Sequence, residues 1–343
     1  MDYPLWMGSL ANLVIWRTCF FALVLFPMTG LSLSPPEDAQ ISRPRVIIST
    51  DIGGSDPDDH QSMIHYLVYA DCFDTEGLIS SPPKEGRADA IRECLNACEK
   101  DFINLKSWSG RYPEPAELRK LVRQGAIDSQ KGEVPGKDLS KGAALIVERA
   151  LVDDPRPLYL LVWGALTDVA QAVHANPEIK KKIRVYSIGS WNTRHGQRER
   201  DYLFRAHPDL WWIESDTTFR GMYLGGEQGN DLGNRSFPAK HVSGHGELGR
   251  LFMRKKADIK MGDSPSVLYL LDGKEDEPGS DHWGGAYVRP DPVARPNYWH
   301  DDPDPEQVVA GKKGAKSVSR WRKIYLRDWE KRMDRTRSPR PGE

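Results

Sequence analysis

The sequence predicts an α/β protein built on a mostly parallel central sheet with helices on both faces, a Rossmann-type open sheet. Two observations carry that expectation. PLYLLVWG is a continuous apolar run, and RVIIST and IRVYSIGS are short β-branched, largely apolar runs, as strands buried on both faces require. They alternate with segments of helical period, the pattern of a sheet covered by crossover helices.

Taken in order, a first strand is expected over 46–50, followed by the Gly/Asp/Pro loop DIGGSDPDD. HQSMIHYLVYA then reads as a helix, with Met63, Ile64, Leu67 and Val68 on one face. A second strand is expected over 76–80, a helix over 88–97 and another over 113–123. Residues 140–151 form a strong helix opened by Ser140. PLYLLVWG is the next strand, ALTDVAQAVHA a helix, and IRVYSIGS a further strand. Trp211-Trp212 follows Pro208 and reads as part of a helix. Residues 233–238 read as loop, 246–255 as a helix, and 264–271 as a helix opened by Asp263-Ser-Pro. A Pro/Asp-rich stretch follows. The basic carboxyl-terminal segment has helical spacing at Trp321, Ile324, Tyr325 and Trp329, so a docked helix is expected there.

The amino terminus differs from the rest. Residues 1–34 hold two charged side chains, Asp2 and Arg17, around the apolar run CFFALVLFPMTGLSLS. This is the layout of a secretory signal with small residues Ser32 and Ser34 near a cleavage point. The expected organisation is a signal over 1–34, a linker over 35–43, one domain over 44–335 and a disordered basic tail over 336–343. The mature chain would be secreted or periplasmic, with no stable membrane span.

Composition narrows the function. Lys+Arg number 48 against 49 Asp+Glu, so the net charge is -1 and the dominant basic field of a nucleic-acid coat is absent. Cys94 and Cys98 are four apart on one helix face, where a disulfide fits poorly; buried thiols are expected. Tryptophan is abundant, 11 residues, which suits a large core, sugar platforms, or both.

Ligands of an open parallel sheet bind beyond the carboxyl ends of its strands. Asp51, Asp56, Asp58 and Asp59 crowd the loop after the first strand and repel one another unless a cation neutralises them. Oxygen donors without His or Cys favour a hard ion, Ca²⁺ or Mg²⁺. Which of these aspartates ligate is open on spacing alone. An ordinary solvated Asp/Gly turn is the plain alternative. Val162-Trp163-Gly164, Gly189-Ser190-Trp191-Asn192 and Gly262-Asp263 fall at comparable positions, although Asp263 also suits a simple helix cap. His245 and His282 sit in Gly-flanked loops, and Trp191 and Trp283 are candidate sugar-stacking rings.

VIISTDIGGSDPDD, LYLLVWGALTDVAQAV, YSIGSWN, HPDLWWIESDTTFRGMY and MGDSPSVLYLL resemble the nucleoside hydrolase-like family, in its branch described as cellulose-binding. The resemblance spans residues 44 to 335. It implies Ca²⁺ held by Asp51, Asp59, the Trp163 carbonyl and Asp263. It also implies Asp51 as the base, Asp58 on a sugar hydroxyl, and Asn192 and Asp201 as further sugar contacts. The pattern departs from the hydrolases at Ser49 in place of their first Asp, at Gly262 in place of their His, and at Leu203 near their sugar-binding Asn.

The expected function is an exported, Ca²⁺-dependent hydrolase of N-glycosidic, ribosyl-type bonds. Metal-activated water and an aspartate base would do the chemistry. The rival is a non-catalytic cellulose- or polysaccharide-binding protein on the same fold; a metal-dependent phosphoesterase is a third reading. The partner is a nucleoside or glycoside, not nucleic acid, and self-association is left open.

Overall fold

The strands are β1 (Arg45–Thr50), β2 (Asp74–Ser80), β3 (Val122–Gln124), β4 (Leu158–Val162), β5 (Ile183–Ile188), β6 (Trp212–Ser215), β7 (Tyr287–Val288) and β8 (Tyr298–Asp301). They form one sheet in the order β3-β2-β1-β4-β5-β6-β8-β7. Every pairing is parallel except β7 with β8 at one edge. This computed structural model describes residues 43–339 apart from 55, 83–86, 128–134, 136–137 and 273. The expected signal, all but Arg43 of the linker, and residues 340–343 lie outside the described residues. No helix among the described residues is long and apolar enough to cross a membrane.

The helices up to the sixth strand are α1 (Asp58–Val68), α2 (Ala88–Trp108), α3 (Pro115–Lys120), α4 (Lys141–Ala150), α5 (Thr167–Ala175), α6 (Trp191–His195) and α7 (Gln197–Ala206). Beyond it come α8 (Ser236–His241), α9 (Gly246–Lys255), α10 (Ser264–Tyr269), α11 (Ala315–Ser319) and α12 (Arg322–Arg337). They cover both faces of the sheet. Along β1, Val46 and Ile48 join a core with residues of α1, α2, α9, α10 and α12, while Ile47 joins α4, α5 and α7 on the other side. Alternation along a fully buried strand is how one short apolar run serves two cores.

Strand order places the site. The chain runs outward from β1 through β2 to β3, then returns to lay β4 on the other side of β1. The crevice opens between the β1 and β4 carboxyl ends, where the sheet changes winding direction. The backbones there pass very close. A Cβ on Gly164 would stand 2.7 Å from the Pro82 carbonyl oxygen and 3.1 Å from the Asp51 nitrogen, so only glycine fits.

Several elements differ from expectation. The helix over 88–97 continues to Trp108, because Ile91, Cys94, Leu95, Cys98 and Leu105 keep a buried face at helical spacing. Cys94 and Cys98 are free, buried thiols. The single helix over 113–123 is instead α3 followed by β3, a three-residue strand that pairs with β2. Trp211-Trp212 is not helical. Trp212 opens β6 and turns into one core, where its Nε1 donates to Ser187 Oγ at 2.8 Å, and Trp211 turns into the other. Residues expected as loop over 233–238 enter α8 at Ser236. The Pro/Asp-rich stretch contains β8, a strand sheltered at the sheet's edge. The terminal helix does dock: Trp329 is fully buried against Phe237 and His65, whereas Ile324 faces out at 48% exposure. That helix runs through Arg337, with Thr336 buried, so residues 336 and 337 belong to it.

Candidate functional site

The β1 loop is shaped by its own first turn. Thr50 Oγ1 accepts from the Ile52 backbone N–H at 3.1 Å and donates to Asp59 Oδ1, tying the strand end to the first turn of α1. Gly53 sits at φ +98°, a conformation that leaves Asp51 directed into the crevice beside Asp59. Asp58 and Asp59 occupy the first turn of α1, where the helix dipole favours carboxylates.

Asp263 arrives from far along the chain, and Gln61 on α1 holds it in range. The Gln61 amide donates to the carbonyls of Lys256 and Asp258 at 3.0 and 2.9 Å, and its oxygen accepts from the Lys260 N–H at 2.9 Å. The loop before α10 is thereby clamped to the helix that carries Asp58 and Asp59. Asp263 makes no side-chain cap bond to α10. Its Oδ2 is buried with no hydrogen-bond partner among the described residues.

These carboxylates line a cavity of about 850 Å³ together with Asp56, Trp163, Ser190, Trp191, Asn192, His195, Phe219, Arg220, Tyr223 and Lys260. The size suits a nucleoside or a short saccharide. Trp163 is fixed by its indole N–H, which donates to Ser266 Oγ at 2.8 Å. Its carbonyl accepts from Asn192 Nδ2 at 2.9 Å, so Asn192 joins the β4 and β5 loops. Trp191 stands on the rim at 57% exposure, its ring 3.8 Å from that of His195.

Burial raises the carboxyls of Asp51, Asp58, Asp59 and Asp263 above the usual carboxylate range, and the charge of their neighbours raises them further. Asp51 is pushed up to about 7. Lys260 pairs with Asp56 at the edge of the cluster. Among the described residues, no three His, Cys, Asp or Glu side chains form a ready metal cage. The donor set is nevertheless all oxygen, desolvated and short of positive charge, which matches a hard cation.

A family model described as cellulose-binding Sde182, nucleoside hydrolase-like domain, matches residues 45–287. The chain belongs to this family. Among solved structures, it resembles a nucleoside hydrolase-related hypothetical protein from Saccharophagus degradans associated with carbohydrate metabolism. That pair is 23% identical with a TM-score of 0.70, over 87% of this chain and 73% of the other. The type III effector protein XopQ, solved complexed with adenosine diphosphate ribose, is 10% identical with a TM-score of 0.52, over 86% and 94%. The effector protein XOO4466 gives 10% and 0.52, over 87% and 94%. At these identities the likeness is one of fold. No curated protein matches the chain.

Within this Sde182-type domain, Asp51, Asp58, Asp59, Trp163, Trp191, Asn192 and Asp263 come together at one cavity. Four other expected site residues do not. Asp201 lies on α7, engaged by Arg200 and Arg205, both at 3.3 Å, and is absent from the cavity wall. His245 stands at the entry to α9, with Nε2 3.2 Å from Asp334. His282 is fully buried; it packs on Tyr269, and its ring nitrogens face the Asp272 and Glu277 carbonyls at 3.0 and 3.1 Å. Trp283 packs half-buried against the larger core. The glycines beside His245 and Trp283 serve turns and close packing: a Cβ on Gly246 would collide with the Asp101 carboxylate, and one on Gly284 with the Pro265 carbonyl.

The sequence reading passed over Phe219, Arg220, Tyr223, His195 and Lys260 on the cavity wall. Phe219, Arg220 and Tyr223 follow β6, whose Trp211-Trp212 pair resembles a helical apolar patch and masks the strand end that carries them. Phe219 also explains Gly262: a Cβ there would meet the Phe219 ring at 3.2 Å and Asp58 Oδ2 at 3.3 Å.

Proposed function

We propose that the cavity binds a ribosyl-type sugar and hydrolyses its glycosidic bond, N-glycosidic bonds foremost. The observation that carries this reading is the gathering of Asp51, Asp58, Asp59 and Asp263 in one cavity at the β1/β4 crevice, with Asp263 Oδ2 unpartnered. Carboxylates so placed accept hydrogen bonds from vicinal sugar hydroxyls and stabilise positive charge developing on the ring. Asp51 takes the proton of the attacking water, and Asp58 orients a hydroxyl. Asp59 is held by Thr50, which fixes the floor of the site.

The residues that would hold Ca²⁺ are Asp51, Asp59 and Asp263, with the Trp163 carbonyl as a further oxygen donor. When bound, the ion neutralises this floor and lowers the pKa of a coordinated water. The export expected from residues 1–34 and the cellulose-binding description of the family support a site of action outside the cytoplasm.

One observation favours a second reading, a carbohydrate-binding protein without turnover. His195 is the one imidazole on the cavity wall among the described residues, and it packs on the exposed Trp191 at the rim and not among the buried aspartates. The deciding experiment incubates the purified mature protein, with Ca²⁺, with a nucleoside panel and p-nitrophenyl riboside. Release of base or phenolate that is lost in Asp51→Ala supports hydrolysis. No release, with retention on polysaccharide that Asp51→Ala leaves unchanged, establishes the binder.

A further inference from the structure

Among the described residues, two cations line the cavity, and they differ in one respect. Lys260 is paired with Asp56. Arg220 makes no ion pair among the described residues; its guanidinium meets neutral hydroxyls. Nη2 donates to Ser190 Oγ at 2.8 Å and Nη1 to Tyr223 OH at 3.1 Å, while Nε is buried without an acceptor. The Asp216 carboxylate accepts from the Ser190 backbone N–H and not from Arg220. Ser190 is held at φ 60°, a costly backbone for a residue with a side chain, and in that conformation its hydroxyl meets the guanidinium. Arg220 also packs over the Phe219 ring at 4.8 Å, which fixes its plane.

A half-buried guanidinium with no counter-ion among the described residues, its planar fork aimed by two hydroxyls, is built to receive an anion of matching geometry. We propose that the ligand is an anionic sugar, whose phosphate or carboxylate is bound by Arg220 while its hydroxyls face the aspartate floor. This rests on the reading of the cavity as a sugar site and names the class of sugar. The two charged regions set the ligand's direction. Lys260 is engaged by Asp56, so the anionic group lies at the Arg220 and Tyr223 wall and the neutral ring edge lies at Asp51, Asp58 and Asp263. Tyr223 OH, already turned to Arg220, adds a donor to the same anion.

The test is calorimetry on the Ca²⁺-supplemented mature chain with ribose, ribose 1-phosphate, ribose 5-phosphate and riburonate. At least one anionic member is expected to bind roughly ten- to hundred-fold tighter than ribose. Arg220→Gln collapses that ratio towards one, and Arg220→Lys retains part of it, because charge survives without the fork. The phosphate and uronate arms distinguish the two sources of the anion. Equal affinity for ribose and all its anionic forms, or a ratio untouched by Arg220→Gln, overturns the proposal and leaves the sugar site standing. Failure of ribose and every derivative to bind removes the sugar site itself, and this proposal with it.

Discussion

The side-chain amide of Asn192 donates to the main-chain carbonyl of Trp163 at 2.9 Å and to that of Ile188 at 3.1 Å. One residue thus joins the loops after β4 and β5 and satisfies two buried carbonyls. Asn192 also lines the cavity, so it shapes the crevice while facing it. Asn192→Ala leaves both carbonyls without a donor, so stability falls by about 1–3 kcal/mol, read as a lower midpoint in urea denaturation.

Asp263 carries the opposite kind of strain, a buried oxygen with no partner beside other carboxylates. Asp263→Asn removes a like charge. The chelator-treated variant is expected to be more stable than wild type by roughly 1–2 kcal/mol. Its Ca²⁺ affinity in titration calorimetry is expected to fall at least about ten-fold. A variant that loses stability and keeps its calcium response would remove Asp263 from the ligand set.

The two rim and loop tryptophans separate binding from packing. Trp191→Ala deletes an exposed ring, so the melting temperature stays within about 1 °C, while sugar affinity drops roughly two- to ten-fold. Trp283→Ala behaves inversely, losing about 2 kcal/mol of stability with affinity unchanged. Parallel melts and titrations of both variants check the pair.

His65 makes the fold acid-sensitive. Burial, with Arg332 nearby, lowers its pKa to about 3 from the ordinary 6.5. The unfolded chain therefore takes up a proton below pH 6.5 that the folded chain refuses until about pH 3. Stability present above pH 6.5 is lost as pH falls through that window. His65→Leu should flatten this limb by on the order of 2–3 kcal/mol at pH 4, measured by denaturation at stepped pH.

The readable parts of the chain were those where burial leaves a clean pattern. β1, β4 and β5 are covered on both faces, so their centres are apolar, and the segments that follow them carry Asp51, Asp59, Trp163, Trp191 and Asn192. β3 and β8 are too short, and too mixed in polarity, for a period of two to declare itself. At β6 the pair Trp211-Trp212 faces opposite cores, which a sequence cannot distinguish from a helical apolar patch. That ambiguity hid Arg220. His245 and His282 show the converse error: glycine neighbours suggested open access where the backbone was only turning.

The crevice between β1 and β4 also has a temporal meaning. Arg45 pairs with Leu158, and the cavity wall that begins at Asp51 is completed by Asp263, more than 200 residues later. Its walls are drawn from segments that a ribosome delivers far apart in time, and contacts of such long sequence separation form slowly. A nascent chain can bury its first strands early, yet it holds no complete pocket until Asp263 has been made. Recovery of ligand binding on refolding is therefore expected to trail the recovery of helical signal.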